Sequence, residues 1–206
     1  MTLQVTLADF QIASNQCAAL VADAHQTDHT GIPRFPVPSQ KQITTAAFLN
    51  LFIAWESFLE DAILKLMTGL PTISGQAPLR YVNPLTTDSA RDIMVGTTRF
   101  FDFGNIDHVK KIVVLYFHNG APFEPYLSAA SPDITDIRTV RNASAHITTS
   151  TQRQLETLAQ RLLSTPKPGI DVYQLLIASD PKAPGSTIFA TYQNKLLTVA
   201  HLIANG

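Results

Sequence analysis

A single cysteine, Cys17, in 206 residues excludes a disulfide framework and any zinc site built on cysteine pairs. Excess charge is missing as well. Fifteen Lys and Arg against sixteen Asp and Glu leave a formal net charge of -1, with a pI near 6.6. A broad electropositive surface that holds nucleic acid non-specifically is therefore excluded, and any nucleic-acid contact has to be a local basic site. Long apolar runs are absent too: the densest, 112–117, falls far short of the roughly twenty residues that span a bilayer. The opening Met1-Thr2-Leu3-Gln4-Val5-Thr6-Leu7-Ala8-Asp9 has no basic n-region and soon meets an acid, unlike a secretory leader. There is no internal repeat and no low-complexity tract. These absences predict a protein of a reducing, cytoplasmic compartment, without a membrane partner.

What is present is apolar patterning at helical spacing. A hydrophobic content of 45% over this length suffices for one core, and a single domain over 1–206 is expected. Leu7, Phe10, Ile12, Ala13, Cys17, Leu20 and Val21 return every three or four residues and predict an N-terminal helix over about 7–24. Pro33, Pro36 and Pro38 then enforce an extended connector. His25 and His29, with Asp23 and Asp28 beside them, have the spacing of a metal-gripping helical pair. Breakers follow at once and no further ligand set is evident, so a solvated helix end is read there and no metal site.

The strongest periodicity runs over 40–68. Phe48, Leu51, Phe52, Trp55, Phe58, Leu59, Ala62, Ile63 and Leu66 share a wide apolar face that Gly69 and Pro71 end, which predicts the central core helix. Glu56 projects from an apolar flank of it. Burying an unpaired carboxylate costs several kcal/mol or more in order of magnitude, so Glu56 either escapes to solvent at the stripe's edge or takes a partner, for which Arg141 is the choice. Asn83-Pro84 or Thr86-Thr87 opens a short helix expected through Asp88 to Met94. After it, 96–104 is irregular, and Phe100, Phe101 and Phe103 read either as base-stacking rings or as a loop folded onto the core. Helix is expected again over 105–118, with Ile106, Val109, Ile112, Val113, Tyr116 and Phe117 inward.

Ser131-Pro132-Asp133 reads as an N-cap, a proline at N1 and an acid in the first turn, and predicts a helix over 131–145. Its end is Arg141-Asn142-Ala143-Ser144-Ala145-His146. A permanently charged guanidinium, an amide that donates and accepts, and an imidazole whose ordinary pKa is near 6.5 fall within six residues. Thr149-x-x-Gln152 offers a capping box for a following helix to about 163. Two further helical pieces, 170–179 and 187–204, flank the turn at Asp180-Pro181 and Pro184-Gly185. The fold class predicted is all-α, with the core at about 40–165, an N-terminal helix within 1–30 and a C-terminal helical extension over 168–206.

Taken together, the core helix carrying Ala54-Trp55-Glu56-Ser57-Phe58-Leu59 and the later Arg141-Asn142-x3-His146 resemble the HEPN superfamily. That group is marked by an arginine, four to six intervening residues and a histidine, often with asparagine directly after the arginine. Phe101-Asp102-Phe103-Gly104-Asn105 and the Ala145-His146 ending resemble its RiboL-PSP branch. The resemblance covers about 44–163. It implies an antiparallel helical bundle, a homodimer whose two motifs meet across a two-fold axis, and a metal-independent endoribonuclease with no cofactor. It also implies, for many relatives, a toxin of a toxin–antitoxin or phage-defence system held silent by a nucleotidyltransferase-like antitoxin.

The chemistry suits these residues. RNA carries its own nucleophile, the 2′-OH, so cleavage needs help for that proton, charge stabilisation at phosphorus and protonation of the leaving group. His146 is the general acid or base, Arg141 a planar fork matched to phosphate, Asn142 a positioning amide and Glu56 a support for the arginine. Arg138 and Arg153 are solvated or rim charges, or grips on flanking phosphates. The products would be a 2′,3′-cyclic phosphate and a 5′-hydroxyl. Two other readings stand beside this one. In the first, Arg141 caps its helix and pairs with Glu56 while His146 bonds a carbonyl; in the second, the chain is a non-catalytic helical dimer that binds a nucleotide, RNA or a protein. Five residues along an ideal helix turn by about 140°, so Arg141 and His146 share a face only if the helix breaks at His146 or a partner chain completes each site.

Overall fold

The computed structural model describes residues 3–96 and 100–206. Among them every extended secondary-structure element is helical, and no helix is long and apolar enough to cross a membrane. In chain order the helices are α1 (Leu3–Ala24), α2 (Val37–Met67), α3 (Thr87–Val95), α4 (Ile106–Tyr116), α5 (Phe123–Ala145), α6 (Thr149–Leu163), α7 (Val172–Ile177) and α8 (Ile188–Asn205). The all-α expectation holds. The chain divides into two compact units, one of Met1–Gln11, Ala54–Thr135 and Lys195–Gly206, the other of Ile12–Ile53 and Asp136–Asn194.

In the first unit the rings of Phe10, Trp55 and Phe58 meet at 5.5 to 6.0 Å between centroids, the tilted and offset range that aromatic quadrupoles favour. Ile106, Val109, Ile112 and Val113 of α4 are buried as their spacing predicts. Tyr116 is only half-buried, because its hydroxyl donates to the carbonyl of Ile93 at 3.0 Å. Of the aromatic loop, Phe103 is buried with Phe101 edge-on at 4.9 Å, whereas Phe100 is 76% exposed.

The expected helix start at Ser131-Pro132 is not where α5 begins. It starts at Phe123 and carries Pro132 in its interior, where the missing N–H removes one helical hydrogen bond at a cost of about 3 kcal/mol. Phe123, Leu127 and Ile134, spaced by four and seven, are all buried, and hydrophobic burial of about 1.5–3 kcal/mol per large side chain outweighs that loss. The cap before α6 differs by one residue from expectation: Thr148, not Thr149, is the N-cap, with Thr151 as its reciprocal partner.

The second unit gathers Phe48 against Phe189 and Tyr192, at 6.4 and 6.5 Å between ring centroids. Ile137, Val140, Leu155 and Leu158 are buried inward rows of α5 and α6. Some buried polar groups are paired: the Gln193 amide donates to the backbone oxygen and hydroxyl of Ser14, both at 3.0 Å, and Asp136 forms an ion pair with Arg161, whereas the Thr44 and Thr191 hydroxyls are buried with no hydrogen bond among the described residues.

The end of α2 depends on one glycine. Gly69 has φ +94°, and a Cβ there would lie 2.8 Å from the Arg80 guanidinium, which donates to the orphan carbonyl of Met67 at 2.7 Å. Gly69→Ala should therefore destabilise the fold by about 1–2 kcal/mol through left-handed strain and loss of that cap. Thermal unfolding checks this, and an unchanged melting temperature would refute the assignment.

Candidate functional site

The Arg-Asn-His motif lies wholly in the second unit, at the junction of α5 and α6. Arg141 is half-buried on the last turn of α5. Its guanidinium carbon stands 5.9 Å from the centroid of the Phe52 ring, within cation–π range. Its Nη1 donates to the Asn142 side-chain oxygen at 3.3 Å. Within this unit the guanidinium meets no carboxylate, so the cation is held by an aromatic face and a neutral amide. Its remaining N–H donors stay available to an anion.

His146 is the first residue beyond α5 and is exposed. Its N–H donates to the Asn142 carbonyl at 2.9 Å, and its own carbonyl accepts from the Thr151 hydroxyl at 2.6 Å. The main chain is thus fixed on both sides while the imidazole has no hydrogen bond among the described residues. The carbonyl bonded at this turn is met by the His146 backbone N–H and not by its ring. Because the His146 N–H still closes a helical turn, the ring continues the α5 spiral and leaves at a large angle from Arg141. No hydrogen bond joins the two side chains among the described residues.

The remaining candidates lie as follows. Asn142 is half-buried and touches Arg141 as described. Arg138, one turn earlier on α5, is half-buried, and Arg153 is exposed on α6. Glu56 is half-buried on the stretch of α2 that belongs to the first unit. His25 stacks on Tyr173 with ring centroids 5.8 Å apart, while its Nδ1 lies 2.8 Å from the Val21 carbonyl; His29 is exposed in the following turn. Among the described residues no three His, Cys, Asp or Glu side chains gather as a metal-binding group.

Several contributors are not signalled by local sequence. Phe52 supports Arg141 across 89 positions of chain, and Thr151 pins His146 through a hydroxyl that reads as an ordinary capping residue. Behind the junction lies a cavity of about 180 Å³ lined by Lys41, Thr45, Ala143, Ile147, Gln152 and Tyr173 among others. Lys41 pairs with Asp171 at 2.7 Å, and the Tyr173 hydroxyl donates to Gln40 at 2.9 Å. Such pairs, 130 or more residues apart, leave no periodic trace. Comparison of the chain with protein-family models, with curated proteins and with solved structures returns no match.

Gln152 is oriented by Glu156, whose carboxylate accepts from the Gln152 amide at 3.1 Å and from the Gly169 N–H at 2.8 Å. These hydrogen bonds, Gln152 first, hold the Glu156 carboxyl below its ordinary value, because they favour the charged form. A depressed carboxyl contributes stability above its unfolded pKa and loses it as pH falls through the folded one. Wild type should exceed Glu156→Gln in denaturant midpoint at pH 7, with the gap closing below about pH 4. A gap independent of pH would contradict this role.

Proposed function

We propose that this chain is a metal-independent endoribonuclease of HEPN type that cleaves RNA by attack of the 2′-OH on the adjacent phosphorus. The observation that carries the reading is the state of the motif: an Arg141 cation seated on Phe52 and Asn142, beside a His146 whose backbone is pinned and whose ring is exposed and unengaged. Arg141 presents its fork to the two non-bridging phosphate oxygens and offsets the charge that builds in the transition state. Asn142 holds the arginine in that orientation. His146 takes the 2′-OH proton or delivers one to the 5′-oxygen, leaving a 2′,3′-cyclic phosphate and a 5′-hydroxyl.

The angular separation of Arg141 and His146 within one copy supports a homodimer through this region, in which each arginine faces the partner's copy of the histidine across a two-fold axis. Glu56 is proposed as a support for the arginine, and Arg138 and Arg153 as grips on flanking phosphates. Under this reading the protein is a cytoplasmic toxin of a toxin–antitoxin or phage-defence system, silenced by a nucleotidyltransferase-like antitoxin. A second reading, a non-catalytic helical dimer binding a nucleotide, RNA or a protein, is favoured by the net charge of -1, since enzymes acting on long RNA generally carry a larger basic field.

Incubation of labelled RNA with the purified protein in EDTA separates the two. The wild type should yield cyclic-phosphate ends, and His146→Ala should lower the rate by about a hundredfold or more; identical traces for both would sink the ribonuclease reading. Expression of the wild type should arrest bacterial growth while Arg141→Ala does not, and equal growth of the two strains counts against the toxin role.

A further inference from the structure

The cavity of about 180 Å³ behind the α5–α6 junction is smaller than the roughly 300–1,000 Å³ typical of drug-sized ligand sites. It suits one ring system. Ala143, Leu155 and Val172 supply apolar wall. At its edge stands Ile147, 92% exposed, directly after His146. A large aliphatic side chain left in water beside a cavity is positioned to cover a flat ring.

The polar groups lining the cavity are not all engaged. Gln152 spends its amide N–H groups on Glu156 and on the Ile170 carbonyl, at 3.1 and 2.9 Å, which leaves its Oε1 without a hydrogen bond among the described residues. The Thr45 hydroxyl, half-buried, has none there either. Lys41 has three donors and commits to Asp171, with donors to spare. The cavity thus presents a cationic N–H donor, a hydroxyl and an amide acceptor around an apolar slot.

We propose that this cavity is a base subsite that takes one keto–imino nucleobase, uracil or guanine, of the RNA cleaved at Arg141 and His146. In such bases a carbonyl oxygen sits next to a ring N–H; the carbonyl accepts from Lys41 or Thr45, and the N–H donates to Gln152 Oε1. Adenine and cytosine have no ring N–H on that edge; their exocyclic amino group donates to Gln152 Oε1 only with a bare ring nitrogen, which has one lone pair in place of a carbonyl's two, turned to Lys41 and Thr45. Ile147 covers the exposed face of the ring, so the residue after the histidine ties base recognition to the scissile phosphate. This assignment rests on the ribonuclease reading for its substrate, and its test does not.

Titration of the purified full chain with uridine, guanosine, cytidine and adenosine monophosphates, followed by isothermal calorimetry, reads the subsite without any phosphodiester to cleave. Uridine or guanosine monophosphate should bind about tenfold more tightly than the other two, the size of discrimination that one good base-edge pairing gives. The two keto arms decide between uracil and guanine. Thr45→Val and Lys41→Met should narrow the preference, while Ile147→Ser, at an exposed position that leaves the core intact, should weaken binding of the preferred base several-fold with unchanged thermal unfolding. Equal binding of all four, no binding into the millimolar range, or a preference untouched by these variants would overturn the proposal. Base-selective binding by a wild type that cleaves no RNA would instead remove the ribonuclease reading and keep the subsite.

Discussion

The junction between α5 and α6 rests on how a helix end disposes of its orphan carbonyls. The last turn of a helix leaves backbone oxygens without intrahelical donors, and here the chain has three residues, 146–148, in which to stop one helix and start another. The His146 N–H takes the Asn142 carbonyl, and the Thr151 hydroxyl takes the His146 carbonyl while also answering the Thr148 N–H at 3.0 Å. One hydroxyl therefore serves both the end of α5 and the start of α6. The fixed exit of His146, the exposure of Ile147 and the placement of the cavity all depend on that exchange.

Arg141 illustrates how a nearly neutral protein can hold an accessible cation. A buried carboxylate partner would satisfy the guanidinium and also cancel its field, whereas an aromatic face and an amide oxygen orient it and leave its charge in place. Cation–π contact contributes about 0.5–1 kcal/mol at exposed sites and more as water is excluded, enough to bias a side-chain position without quenching it. Specific anion recognition then needs no basic surface, only a few oriented donors at one point. The scarcity of positive charge in the composition and the availability of Arg141 are compatible for that reason.

Polar groups inside the second unit follow the same economy. Gln193 with Ser14, Tyr173 with Gln40, and Asp136 with Arg161 each satisfy a group that desolvation would otherwise penalise. At Thr45 and Gln152 Oε1 the unused capacity lines a cavity, whereas the Thr44 and Thr191 hydroxyls stay without a partner in the packed interior. Unspent hydrogen-bonding capacity is tolerated where a ligand or water can reach it.

The sequence by itself determined the all-α class, the positions of most helices and the grouping of Arg141, Asn142 and His146 at a helix end, because each is a matter of local periodicity, capping chemistry and spacing. The rows led by Phe48, Leu51 and Trp55 and the glycine stop at Gly69 are legible within one or two turns of chain. Tertiary structure decided what local rules could not. Pro132 reads as a helix start until burial of Phe123 and Leu127 carries the helix through it, and the partner of Arg141 in its unit is Phe52, an apolar residue that charge pairing would never nominate. The cavity between Thr45 and Gln152, and the ion pair of Lys41 with Asp171, join residues more than a hundred positions apart. Such proximity is set by how whole helices pack, and no short stretch of sequence contains it.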